Sequence, residues 1–431
     1  MMAQVLAPRL EAAIAELRER PISGTEKGFG VPAPGAVVSA ADLAARRPSL
    51  FGPGFTMPVL VLREPAVAHN VSAMAAYCAA AGVRLAPHGK TTMAPQLFAR
   101  QLAAGAWAVT AATVGELHVY RAFGIPRVLL ANELTDLAGA AWLAGELAAD
   151  PGFDCYVYAD SLAGVQLLDE AVRQASPARP LPVLVELGYP GGRTGCRGLA
   201  AAEAVARAVA RSGSLRLAGV AGYEGGIGHD RSPQAVSKIA AYCRELRSLG
   251  ELLAATGLAP DELILSAGGS AFFDIVVREL ASGWAQHPAP AVVLRSGVYI
   301  AFDHGLYAAM VPSPPPVLEP ALELWADVLS RPEPGLALAC AGRRDVAFDS
   351  GLPVPLRIRG RAGALRQAIG MEAVRLDDQH CYLQLTDGTE LEPGETICFG
   401  VSHPCTTFDK WRVIPVVDDD YRVVDAIHTF F

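Results

Sequence analysis

RLAPHGKTTMAP, residues 84–95, opens as a short apolar run and turns at once into a polar loop carrying His88, Gly89 and Lys90. The chain has only four lysines, Lys27, Lys90, Lys238 and Lys410, against thirty-two arginines. Three of the four stand beside charged or turn-forming residues and read as solvent-facing ammonium groups. Lys90 instead ends a strand-like run. An amine held out of bulk water is cheaper to deprotonate, and is then a nucleophile or a Schiff-base former. A lysine at a strand end can equally be reaching for a carboxylate. The pattern around it has to decide.

Outward from residue 84, seven further apolar runs follow, at 107–110, 127–131, 153–159, 182–186, 216–222, 262–266 and 291–295. Alanine- and leucine-rich stretches of helical length lie between them, at 115–123, 137–149, 162–174, 199–211 and 234–256. Short apolar runs alternating with such helices indicate parallel βα units. Eight strands is the number that closes a (β/α)8 TIM barrel. An open doubly wound sheet is the alternative, but no G-x-G-x-x-G follows the first strand. The run PVLVL at 58–62 is then a ninth strand and has to belong elsewhere.

The texture changes after about residue 305. PSPPPVLEP, residues 312–320, is a proline-rich crossing, and beyond it β-type runs stand at 323–329, 336–340, 354–358, 380–385, 396–399 and 411–417. Turns at Asp387-Gly388 and Pro393-Gly394 separate some of them. The expected fold is therefore α/β, a TIM barrel with a C-terminal all-β domain. Residues 1–57 form an N-terminal helix and an extended Gly-, Pro- and Ser-rich arm, 58–304 the barrel and 305–431 the β-domain. The strand at 58–62 could join that β-domain.

At 431 residues the chain is too long for one ordinary core. Its net charge of −8 argues against nucleic-acid and anionic-membrane partners, which need basic patches. No apolar run reaches the length of a membrane span. The first residues lack the basic-then-apolar order of a signal peptide. Eight scattered cysteines fit a reducing cytoplasm.

Catalytic groups of a barrel gather where strands end. His88 and Lys90 follow the first strand, Thr113 and Glu116 the second, and Arg193, in GYPGGRTGC, the fifth. Tyr223 closes the sixth, with His229 six residues on; SAGGS (266–270) ends the seventh and RSGVY (295–299) the eighth. SAGGS before a helix offers backbone N–H groups suited to a phosphate, though it can also be a plain tight turn. A Schiff-base lysine with a phosphate cradle suggests pyridoxal phosphate, and Arg193 could meet the pyridine nitrogen or pair with Glu186 or Glu224. Far off in sequence, His403 and Cys405 share one face of an extended SHPCTTFD segment, a donor pair that suits zinc or is accidental. Asp377, Asp378 and His380 are further donors, or a polar turn.

Together PHGKT, GYPGGRTG, AGYEG, SAGGS, RSGVY and the late H-P-C resemble the D-serine dehydratase and D-threonine aldolase group, alanine-racemase-like, fold-type III pyridoxal-phosphate enzymes. The likeness runs from about Pro58 to the C-terminus. It implies that Lys90 carries the cofactor and that His88, Arg193 and Tyr223 contact it. Gly268, Gly269 and Ser270 match the phosphate loop, and Tyr299 is expected near the phosphate. The family's metal site falls on His403 and Cys405, and a thiolate there favours zinc and the dehydratase over the aldolase. His229 matches a histidine that is a candidate base in the aldolases. Gly89, Thr92 and Met93 depart from the pattern around the lysine.

The implied function is a pyridoxal-phosphate- and zinc-dependent ammonia-lyase on D-serine or a related β-hydroxy D-amino acid, in a cytoplasmic homodimer. Retro-aldol cleavage is the alternative, and a non-catalytic cofactor-binding protein a third.

Overall fold

Each of the eight runs from residue 84 folds as a parallel strand, and the run before them as a strand of the second sheet. In chain order these are β1 (Val59–Arg63), β2 (Arg84–Leu85), β3 (Val109–Ala111), β4 (Arg127–Glu133), β5 (Asp154–Ala159), β6 (Leu181–Leu187), β7 (Leu215–Gly222), β8 (Ile264–Ala267) and β9 (Ala291–Leu294). All but β1 make one eight-stranded sheet in the order β2-β9-β8-β7-β6-β5-β4-β3. Its two edges meet: Trp107 N–H donates to Leu85 O at 2.7 Å and Thr110 N–H to Pro87 O at 2.8 Å. The sheet thereby curls round on itself into a TIM-like barrel. The computed structural model describes residues 6–30, 38–175, 179–284, 289–310 and 316–431.

Strand β6 is buried at every position, as a parallel strand covered on both faces must be. Leu129, Tyr158, Leu184, Ile264 and Val293 fill the barrel's interior. Its outer face packs against helices including Glu64–Ala81, Leu137–Ala149, Leu199–Arg211 and Pro233–Ala255. Caps place the helix starts: Thr113 accepts from Glu116 N–H, and Asp136 from Ala138 and Gly139 N–H. The helix Pro95–Ala103 was not legible in sequence. It starts with proline at its first turn and buries both Gln96 and Gln101, so its glutamines do not mark a solvent face.

The C-terminal strands are β10 (Leu322–Glu333), β11 (Leu336–Ala339), β12 (Val354–Arg359), β13 (Leu365–Gln367), β14 (Met371–Leu376), β15 (Cys381–Leu385), β16 (Thr396–Gly400), β17 (Val413–Val417) and β18 (Val423–His428). The main path of their sheet runs β13-β12-β16-β10-β1-β17-β18. Strand β1 lies within it, antiparallel to β10 and parallel to β17.

The arm is less extended than its composition implies. Ala40–Arg46 is a helix whose Ser39 and Asp42 form a reciprocal capping box. Ile22, Phe29, Leu43, Leu50 and Phe55 of the arm bury a small core against Val59, Trp325 and Tyr421. Residues 31–37 of the arm and 312–315 of the proline-rich crossing lie outside the described residues. Among the described residues no helix is long and apolar enough to cross a membrane.

Candidate active site

After β2 the chain tightens into a 3-10 turn, Gly89–Thr91, in which Thr92 and Met93 N–H both return to Gly89 O. Glycine is required twice. A Cβ on Gly89 would stand 2.7 Å from Tyr120 Cζ, and one on Gly297 would stand 2.6 Å from His88 O. The turn therefore sits wedged between the helix Val114–Ala122, which carries Tyr120, and the RSG segment.

Lys90 is exposed in the chain alone, so the expected shelter from bulk water is not found there. Its charge is nevertheless felt on both sides. Burial, then the charges of Lys90, Arg295 and Arg193, push His88 well below its usual range, and its Nδ1 has no partner. Burial raises Glu116, against the hydrogen bond it accepts from Ala112 N–H at 2.7 Å and the charge of Lys90.

The C-terminal domain reaches this turn. Cys405 opens the short helix Cys405–Phe408, and its thiol meets Thr91 Oγ1 at 3.5 Å. His403 Nδ1 lies 2.6 Å from Asp349 Oδ2, and the Thr406 hydroxyl donates to Asp349 Oδ1 at 2.7 Å. A hydrogen bond with Cys405, opposed by burial and helped by Asp349, raises His403 to about 9. Sequence reasoning missed Asp349, and only the fold brings it to the HPC segment. Tyr307, also missed, is raised by burial and by the nearby Cys405 and Tyr223.

Arg193 is exposed and lies over the Tyr223 ring, 4.1 Å from its centre. Neither Glu186 nor Glu224 is its ion-pair partner. The fully buried Glu224 instead accepts from Gly268 N–H at 3.1 Å and Gly269 N–H at 2.6 Å. Those two N–H groups are thus engaged by a carboxylate, which shapes the SAGGS turn. Ser270 Oγ accepts from Val298 N–H. The structure does not carry Tyr299 to this loop: its hydroxyl meets Gln101 at 3.0 Å, in a cavity of about 240 Å³ lined by Val71, Cys78 and Leu85. His229 is exposed beside Asp230 in the loop after β7, without a hydrogen bond to the other candidates.

Arg295, read only as part of a motif, proves to be a buried cation. Its Nη1 donates to Ser266 Oγ at 2.8 Å and its Nη2 to Gly222 O at 2.6 Å, and its Nε has no acceptor. A free lysine at the rim, a neutral histidine and a buried arginine with unmet polar atoms, and an arginine laid on a tyrosine fit a phosphorylated heteroaromatic aldehyde such as pyridoxal phosphate. The zinc expectation fares differently. His403 and Cys405 are two soft donors, but among the described residues no group of three or more His, Cys, Asp and Glu could hold a metal ion. That donor set is incomplete.

Known proteins agree with this layout. Residues 63–280 match the alanine racemase N-terminal domain, and residues 321–417 a putative serine dehydratase domain. A D-threonine aldolase from an Arthrobacter species is 29% identical over 84% of this chain and 89% of its own length. A D-threo-3-hydroxyaspartate dehydratase from a Delftia species is 28% identical over 55% of this chain and 66% of its own. Among solved structures, the D-threonine aldolase of Filomicrobium marinum superposes with a TM-score of 0.74 at 28% identity, covering 87% of this chain and 94% of that one. The chain belongs to the alanine racemase N-terminal domain family, the fold-type III pyridoxal-phosphate enzymes, and carries a serine-dehydratase-type domain behind its barrel.

Proposed function

We propose that this chain is a pyridoxal-phosphate-dependent lyase for β-hydroxy D-amino acids, and that it deaminates D-serine or a close relative to a 2-oxo acid and ammonia. The observation that carries this is the meeting of Thr91, beside Lys90, with Cys405, 314 residues away. It puts a polar segment of the second domain against the turn that holds the amine. Pyridoxal phosphate, when bound, supplies an electron sink for breaking a bond at the substrate's α-carbon. Lys90 Nζ takes the α-proton. Arg193 and Tyr223 stack as a unit to orient the ring, and neutral His88 packs beside the turn without adding charge. His403, steadied by Asp349, and Cys405 line the side where the β-hydroxyl departs. Water lost there is regained in hydrolysis, so substrate balances to 2-oxo acid plus ammonia. No step is routed through zinc, which enters the proposal only as an ion His403 and Cys405 could recruit. The homodimer belongs to the same proposal.

Retro-aldol cleavage is the second reading, favoured by the likeness to the D-threonine aldolases. There a base takes the β-hydroxyl proton and the Cα–Cβ bond breaks.

Product analysis with D-threonine, pyridoxal phosphate and zinc separates the two. 2-Oxobutanoate and ammonia are expected. Glycine and acetaldehyde would replace the first reading by the second, and bound cofactor without product from D-threonine or from D-serine would reject both. Run alongside, Lys90→Ala is expected to lose the cofactor's visible band, and Cys405→Ala to keep it with less bound zinc.

A further inference from the structure

Inside the barrel, Leu129 and Leu184 belong to the buried interior, and Ala131 packs against it. Side chains alternate along a strand, so Glu186, two residues on from Leu184, continues that face toward the mouth; β4 changes register between Leu129 and Glu133, and Glu133 is placed there by its closeness to Glu186. The two carboxyls lie within hydrogen-bonding reach of one another. Neither oxygen of Glu133, nor Oε2 of Glu186, receives a hydrogen bond from a neighbouring residue. Tyr158 is 2% exposed and Arg295 3%, yet the Tyr158 hydroxyl and Arg295 Nε are also without partners. Donors and acceptors thus stand unpaired together in a dry place. Leaving them so costs about 1–3 kcal/mol each, so the fold builds this well for something polar.

Two ionised carboxyls cannot share such a site. Glu133 is pushed up to about 8, first by burial, then by Glu186, with Asp160 adding to the repulsion. Among the described residues no cation pairs with it. Arg295 spends both Nη groups on Ser266 and Gly222, and among the described residues no metal-holding group of three is present. Cys196, across from the pair, feels the same negative charges. Asp160 Oδ2 accepts from Gly195 N–H at 3.0 Å, and the Cys196 thiol donates to Asp160 O. The acids therefore lie under the loop that carries Arg193.

We propose that Glu133 and Glu186, holding one hydrogen between them, are positioning residues for the cofactor: with Tyr158 and Arg295 they form the floor against which the ring rests, and loss of the shared hydrogen loosens it. This rests on the pyridoxal-phosphate reading above. Burial and the neighbouring Glu186 hold Glu133 above the usual carboxylate range, so it keeps its hydrogen at neutral pH and sheds it as the solution turns alkaline. A second full charge then repels Asp160 and unsettles the Arg193 loop.

The test is cofactor affinity, read from the visible absorption band, between pH 6.5 and 9.5 in the wild-type protein and in Glu133→Gln. Glutamine has nearly the same shape and donates permanently, and thermal unfolding reports that the variant folds. The wild type is expected to lose fivefold or more in affinity between pH 7 and pH 9. Glu133→Gln is expected to show an affinity that stays flat over the same range. An alkaline loss of the same size in Glu133→Gln, or a folded variant that binds no cofactor at pH 7, overturns the proposal. A wild-type protein without the band at any pH would overturn the cofactor reading, and the floor with it.

Discussion

At Gly89 the absent side chain lets Tyr120 lie against the Lys90 turn. Tyr120 is fully buried, packs edge-on to Phe98 at 5.1 Å, and donates its hydroxyl to Thr110 O. Such a ring cannot step aside, because it would have to open the core around it. In Gly89→Ala the turn itself has to move, at a cost of about 1–3 kcal/mol. We expect a Tm lower by several degrees and cofactor affinity lowered at least tenfold, since Lys90 moves with the turn. Adding Tyr120→Phe should recover part of both losses by removing the nearest atom. Unchanged affinity in Gly89→Ala, read from the cofactor band, would mean that the turn does not set the position of Lys90. The departure at Gly89 was visible in the sequence. Its cause was not, because Tyr120 comes from the helix Val114–Ala122, beyond β3, and only closure of β2 onto β3 brings it there.

Among elements, β10 shows how the second sheet is tied. Glu323, 4% exposed, receives Arg63 from the β1 end at 3.1 Å, the Tyr421 hydroxyl at 2.8 Å, and Arg357 of β12. Burial works against its ionised form, but Arg357 and Arg63 outweigh that and hold the carboxyl below its usual range. The sign follows from linkage: the stabilisation is present above the ordinary glutamate range near 4.3 and is lost as pH falls through the lower, folded value. Glu323→Gln should therefore cost stability at pH 7, about 2–3 kcal/mol once the part-exposed arginines are allowed their water. The cost should shrink as pH falls through the acid range, and a loss that stays equal at every pH in chemical denaturation would reject the ion-pair account. Elements buried on both faces, such as β6, were plain in the sequence because every position is apolar or nearly so. Strands β13 and β14 were not, since Leu365–Gln367 is exposed throughout and Met371–Leu376 mixes exposed and buried positions without clean alternation. The mouth was legible for a similar reason: glycines, lysine and arginine stand out after apolar runs. Glu133 and Arg295 were harder to read, because a charge at the end of a strand looks like solvent contact until the barrel closes over it.

Across the whole molecule, the arm braces the segment that faces Lys90. Lys27 Nζ lies 2.7 Å from Asp345 Oδ1, donates to Arg344 O at 2.5 Å, and sits over the Trp411 ring at 4.0 Å. Asp345 is fully buried, and Trp411 Nε1–H donates to its carbonyl at 2.8 Å. Two residues on, Ala347 N–H reaches the Thr407 hydroxyl, inside the helix that Cys405 begins. A continuous set of contacts therefore runs from the arm, through the β-domain, to the thiol beside Thr91. In Lys27→Met the packing on Trp411 is kept, but the Asp345 carboxylate is left buried without its cation. Removing one partner of a buried pair costs about 3–5 kcal/mol, and the part-exposed lysine brings this nearer to about 2 kcal/mol. If the brace holds, the loss appears locally as well as globally. Alkylation of Cys405, followed by mass spectrometry on the intact fold, should quicken severalfold, while buried Cys155 and Cys243 stay unreactive. A lower Tm with unchanged Cys405 reactivity would confine Lys27 to stability. An unchanged Tm would remove the arm from both roles.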